Sequence, residues 1–147
     1  MSKNSVGRVV KMFISKQGYA QRISKDKLEF DSKGVIEDKF YNKTIQRSVL
    51  LTSQSSYELI KNNNINVEHG ILGENLLLSF NPYDLDIGTQ LQIGDVILEI
   101  SQACTICDHL SAINEHLPSL LKKDRGIFSK VIKTGSVKIN DEIYLVC

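Results

Sequence analysis

Two segments of the chain echo one another: LQIGDVILEI from Leu91 to Ile100 and VKINDEIYLV from Val137 to Val146, with Ile93 aligned on Ile139 and Asp95 on Asp141. Gly94 and Asn140 fall at equivalent places between short apolar runs. Both residue types tolerate positive φ, so each segment can carry the same tight turn between strands. Two copies are too few for a solenoid, which needs at least three stacked units. The echo therefore reads as one hairpin geometry used twice inside a barrel. The other apolar runs are equally short and punctuated: VGRVVKMFI from Val6 to Ile14, Leu28 to Phe30, SVLLT after Arg47, Leu76 to Phe80, and GIFSKVIK. That pattern predicts a mainly β barrel or sandwich with a few short helices packed at its ends.

Between these strands the composition turns polar. QGYAQRISKDK reads as a connection, and GVIEDKF, Gly34 to Phe40, as a turn-rich surface segment in which Asp38 and Lys39 expose opposite charges. Ser55-x-x-Glu58 has the form of a capping box opening a helix through Leu59 and Ile60, which the NNN run from Asn62 ends. NPYDLDIG is a loop by content, and Leu91 to Ile100 divides into two strands at Gly94-Asp95. Leu110, Ile113, Leu117, Leu120 and Leu121 fall at helical spacings, with Pro118 suited to the start of a second short helix.

A chain of 147 residues is the size of one domain, so residues 1–147 are expected to fold together. Its 18 basic and 17 acidic side chains give no chain-wide field to hold nucleic acid or an anionic membrane. A few local charges would still suffice for a small anion. The opening MSKNSVGRVVK has no apolar signal core, and no run is long enough to span a bilayer. Three cysteines, an odd number, complete an expectation of a reduced, cytoplasmic compartment.

The strongest candidate for chemistry lies in LEISQACTICD, where a strand-like run stops and delivers Cys104 and Cys107. A thiolate is the most nucleophilic side chain available near neutral pH. Several readings of this stretch stand side by side. Cysteine is often a small buried hydrophobe. The Cys-x-x-Cys pair could also be a redox dithiol or half a zinc site completed by His109 and His116. Glu74, beside His69 and the two glycines of GILGEN, could orient a ligand or simply open a strand, and Asn75 could cap its own loop. Arg125-Gly126 could bind an oxyanion or end a helix.

Taken in order, these motifs resemble the MOSC domain family, named for the C-terminal domain of molybdenum cofactor sulfurases. GILGENLLL is similar to the family's G-x-x-GEN-L segment, and LQIGDVILEISQACTICD to its I-G-D-x-x-L-E-V-x-Q-x-R-x-P-C stretch. RGIFSKVIKTGSVKINDEI is similar to its R-G-W-Y-A-R-V-L-x-x-G-x-V-x-x-G-D-x-V ending. GVIEDKF and RSVLL resemble its early pieces, so the likeness spans nearly the whole chain, as a stand-alone MOSC protein. Four positions differ: Cys104 stands where the family has arginine, Ile106 where it has proline, and Glu37 and Asn140 where it has glycine.

The resemblance implies a MOSC-like β-barrel that binds a molybdenum cofactor of the molybdopterin type, or carries sulfur on a cysteine during cofactor sulfuration. Cys107 would be the catalytic or metal-ligating thiolate, and Asp38, Lys39, Arg47, Glu74, Asn75, Arg125 and Gly126 the cofactor-binding residues. It also implies a pterin ligand and a sulfur donor or redox partner protein. Two alternatives remain: a molybdenum-dependent reductase component acting on N-hydroxylated compounds, and a non-catalytic small-ligand or zinc-binding barrel.

Overall fold

The computed structural model describes residues 4–19, 21–105 and 109–146. In chain order its elements are β1 (Gly7–Ile14), β2 (Ile23–Lys25), β3 (Lys27–Asp31), β4 (Gly34–Val35), a 3-10 turn (Ile45–Arg47), β5 (Val49–Ser53), α1 (Gln54–Asn62) and β6 (Leu76–Leu78). Then follow β7 (Gln90–Ile93), β8 (Val96–Ala103), α2 (Leu110–Ile113), α3 (Leu117–Leu120), β9 (Ile127–Lys133), β10 (Gly135–Lys138) and β11 (Glu142–Val146).

Seven strands close a barrel in the order β1, β6, β5, β9, β8, β7, β11, with β11 pairing back to β1. Closure removes the exposed edges that an open sheet would present. The β5–β6 pair is parallel, and its crossover carries α1 and the loop that leads into Gly70–Asn75. β2 extends β1 outside the barrel, and β10, β3 and β4 form a second, three-stranded sheet.

The three leucines of β6 are all buried because both faces of the strand are covered. Leu76 and Leu78 point into the barrel core with Met12, Leu51, Leu98 and Ile100. Leu77, one residue out of phase, packs beneath the helices with Ile60, Leu110, Leu117 and Leu121. Each such leucine contributes about 1.5–3 kcal/mol of burial. Among the described residues no helix is long and apolar enough to cross a membrane.

Several expectations need correction. The polar connection QGYAQRISKDK contains β2, whose pairing with β1 places Arg22 beside the barrel mouth. Asp38 is not a surface charge: it is 5% exposed, and its carboxylate accepts from the backbone N–H groups of Ser15 (2.7 Å) and Phe40 (3.2 Å). Two amide donors repay the desolvation that its charge would otherwise suffer. Lys39 is exposed, as expected. α1 starts at Gln54, its first turn capped by the Ser53 hydroxyl, which accepts from Ser55 N–H, so Ser55 is not the cap.

Gly94 (φ 56°) and Asn140 (φ 75°) both adopt the left-handed turn, but only the first closes a hairpin. β7 pairs with β8, whereas β10 leaves to pair with β3. The two turns dock on each other, since a Cβ on Gly94 would lie 2.4 Å from Asp141 Oδ2. Glu37 (φ 77°) likewise keeps the backbone for which the motif carries glycine.

Candidate functional site

The segment GILGEN turns at positive φ at Gly70 and Gly73, which lets the chain fold back under α1 before entering β6. Tyr57, on the buried face of α1, is the hub of this turn. Its hydroxyl accepts from the N–H of Gly70 (3.0 Å) and more distantly of Leu72 (3.5 Å), and donates to Glu74 Oε2 (2.5 Å). Thr52 of β5 donates to the same oxygen at 2.7 Å. Burial and the neighbouring Glu74 carboxylate push the Tyr57 phenol strongly up, so it stays a donor at every working pH. Glu74 is wholly buried and faces this network rather than solvent.

The loop's carbonyls are bound by basic side chains from remote segments. Arg22 Nη2 donates to the Glu74 carbonyl (2.8 Å), Arg125 Nη1 to that of Leu72 (2.6 Å), and His109 Nε2 lies 3.1 Å from that of Ile71. Asn75 continues the line of β6 and stitches its two neighbours together. Its side-chain oxygen accepts from Leu50 N–H (3.0 Å), and its Nδ2 donates to the Phe13 carbonyl (3.2 Å). Leu50 in turn pairs with Phe128 of β9, giving the row Phe13, Asn75, Leu50, Phe128 across the barrel mouth.

Over this row lies a cavity of about 1250 Å³. Lys11, Arg22, Lys39, Lys43, Arg47 and Arg125 line it, against one carboxylate, Glu68, among its described lining residues. Arg22 is half buried, with Nη1 donating to Ser15 Oγ at 2.5 Å. Burial lowers its pKa against the opposing fields of Asp38, Glu74 and Tyr57, and among the described residues no carboxylate lies within ion-pair distance of it. The Arg47 guanidinium sits 5.8 Å from the centre of the Phe128 ring.

Cys104 is buried against Leu50 and Phe128 and lines the cavity, its N–H bonded to the Gly126 carbonyl (3.0 Å). His69 also lines it, edge-on to the Tyr57 ring at 4.7 Å, and burial and nearby Lys11 lower its pKa from 6.5. His116 is exposed beside Glu115 and away from the cavity. No three His, Cys, Asp or Glu side chains among the described residues are grouped to hold a metal ion.

The expected site residues thus divide. Lys39, Arg47, Asn75 and Arg125 line one cavity, with Cys104 among them. Asp38, Glu74 and Gly126 stand behind its walls: the two carboxylates hold backbone and hydroxyl donors, and Gly126 (φ 145°) lets β9 approach Leu50 and Leu51. Cys107 lies outside the described residues; Cys104 before it and His109 after it both line the cavity. Sequence reasoning missed Arg22 and Tyr57. Tyr57 had a signal, an aromatic residue among the serines of a polar helix start, but Arg22 had none beyond its charge.

Comparison with known proteins adds three findings. The sequence profile of the MOSC domain matches residues 30–144. No curated protein matches the chain significantly by sequence. Among solved structures, the fold is similar to the YuaD protein from Bacillus subtilis (TM-score 0.78, 17% identity, covering 95% of this chain and 94% of that one). It is also similar to YiiM from Escherichia coli (TM-score 0.70, 18% identity, 95% and 70%) and YiiM from Geobacillus stearothermophilus (0.66, 14%, 99% and 76%). At these identities the likeness is one of fold.

Proposed function

This chain belongs to the MOSC domain family, which is associated with the molybdenum cofactor, and we propose that its cavity binds a molybdopterin-type cofactor with Cys107 as metal-ligating or sulfur-carrying thiolate. The observation that supports this reading is the concentration of positive charge. Six basic side chains face one cavity in a chain whose net charge is only +1. Such a surplus attracts and desolvates an anion, here the phosphate of the pterin.

The residues present fit the group. The cavity exceeds the roughly 300–1,000 Å³ of an ordinary ligand pocket, and its apolar lining from Phe13, Leu50, Ile71 and Phe128 suits a flat heterocycle. Lys39, Arg47 and Arg125 would hold the anionic end. Arg125 is fixed by its bond to a loop carbonyl, so it loses little freedom on binding. When bound, the cofactor supplies a thiophilic metal centre. The protein's own part is to exclude water, orient the anion, and present a thiolate, a soft ligand able to hold a sulfane sulfur reversibly. Electrons or sulfur would come from a partner protein, since the sequence carries no flavin or iron–sulfur motif.

The test is anaerobic purification in the presence of molybdenum cofactor, with bound molybdenum, pterin and cyanide-labile sulfur measured for wild type, Cys107→Ser and Cys104→Ser. Wild type retains metal and pterin, and Cys107→Ser loses the sulfur or metal signal because a hydroxyl is not a soft ligand. Cys104→Ser changes it less. Equal loss in both variants would point to a dithiol or zinc site. Absence of every signal in wild type would overturn the reading.

A further inference from the structure

We propose that His69 couples anion binding in this cavity to proton uptake: its imidazole accepts a proton from water as an anion enters, and so becomes a further positive group of the wall. This deepens the cofactor-binding reading and rests on it only for the place where an anion sits.

His69 leads into the Gly70–Asn75 loop and lines the cavity half-buried, so protons from water reach it. Its ring is oriented but not engaged. It packs edge-on to Tyr57, with centroids 4.7 Å apart and planes at 72°, and the Tyr57 hydroxyl is itself fixed by Gly70 N–H and Glu74. Yet among the described residues neither ring nitrogen of His69 has a hydrogen-bond or ion-pair partner. His109, also on the cavity wall, differs: its Nε2 lies 3.1 Å from the Ile71 carbonyl, which only accepts, so that nitrogen is committed to the loop. Histidine is the side chain whose ordinary titration range meets neutral pH, so an unengaged one in a cationic cavity is placed to answer a change of charge.

The groups that set this charge come from each neighbouring element. Burial and Lys11 of β1 favour the neutral ring, and Glu74 behind the loop opposes them. The Tyr57 phenol of α1 stays uncharged, and Glu68 beside His69 is an exposed carboxylate at the rim. An anion adds a second opposing field. Arg125, which would hold the anionic end, is fixed at the Leu72 carbonyl, three residues after His69. Three residues span at most about 11 Å between Cα atoms. Turn bonds from Ile71 N–H to the Glu68 carbonyl (3.3 Å) and from Gly73 N–H to the Gly70 carbonyl (3.0 Å) shorten that path. At such range, between walls that exclude water, an anion favours the protonated ring, whose two nitrogens are then both donors. The ligand class so selected is anionic rather than neutral, and its binding tightens as pH falls until the unliganded ring is itself protonated.

Sulfate is the probe, because it keeps its charge near neutral pH and releases no proton of its own. Calorimetric titration at pH 6.5, the ordinary histidine value, in buffers of different ionisation enthalpy counts the protons taken up per sulfate bound. Wild type should take up protons and His69→Gln at least about threefold fewer. The variant should still bind sulfate within about tenfold of wild type, the scale of one charged hydrogen bond. In parallel, the His69 imidazole signals should titrate at higher pH with sulfate than without, whereas His116, exposed away from the cavity, should not respond to sulfate. That readout decides the matter in wild type should the variant fail to fold. Equal uptake by the two proteins, a His69 titration that sulfate does not move, or no sulfate binding overturns the proposal. Pterin retained by wild type purified with molybdenum cofactor reports on the cofactor reading separately. Retained pterin without proton coupling removes His69 alone, and absence of both sulfate binding and pterin overturns both.

Discussion

The strand core and the Gly70–Asn75 loop are both buried, yet they are held by opposite means. The core is an apolar set, Met12, Leu51, Leu76, Leu98 and their neighbours, in which any one side chain is supported by several equivalents. The loop is a polar set held by a few specific side-chain atoms: the Tyr57 hydroxyl for two N–H groups and a Glu74 oxygen that Thr52 shares, and Arg22, His109 and Arg125 for three carbonyls. The core therefore sets whether the chain folds. The loop sets where two of the cavity's cations, Arg22 and Arg125, stand.

The largest effect is expected in the core. Leu51→Ala removes a fully buried side chain between β6 and β9 and should cost about 2–5 kcal/mol in a denaturant melt. Phosphate affinity of the folded fraction should not change. A matching loss of affinity would break the division between the two regions.

Next is Tyr57→Phe. It deletes one hydroxyl, leaving Gly70 N–H and Glu74 Oε2 short of partners, and should cost about 1–3 kcal/mol. Unlike Leu51→Ala it should also weaken phosphate binding, because the carbonyls that orient Arg22 and Arg125 lie on the loop that it holds. Loss of stability with full affinity would show that the loop does not position the cations.

The same division explains what was legible beforehand. The core could be read because β strands write their burial locally: SVLLT, LLL and VILEI announce covered faces, and Gly94 and Asn140 announce left-handed turns. The cavity was legible as a set of motifs, since Lys39, Arg47, Asn75 and Arg125 converge on it. Its support was not. Arg22 meets Glu74 across 52 positions and Arg125 meets Leu72 across 53, and no local pattern marks such pairs. Asp38 was misplaced on the surface for the same reason, because the amide that buries its charge belongs to Ser15, 23 residues away.

The smallest effect is one of pH. Burial and Lys11 lower the pKa of His69 against the opposing field of Glu74, so the fold favours the neutral ring. Between the folded value and 6.5 the unfolded chain binds more protons. This contribution is therefore complete above about pH 6.5 and is lost as pH falls through the folded pKa. His69→Gln should flatten that part of the stability profile, whereas Leu51→Ala should lower the profile without changing its slope. An unchanged slope in His69→Gln would remove the histidine from the account.

The central claim, that the charged cavity is the ligand site, is tested most directly by the pterin retained per chain in wild type and in a Lys39→Ala, Arg47→Ala double variant, each purified with molybdenum cofactor. Both side chains are exposed, so the melting temperature should be preserved. The account predicts at least about a tenfold loss of bound pterin in the double variant, the scale of one or two charge-assisted hydrogen bonds. Equal retention by the two proteins at equal stability would contradict it.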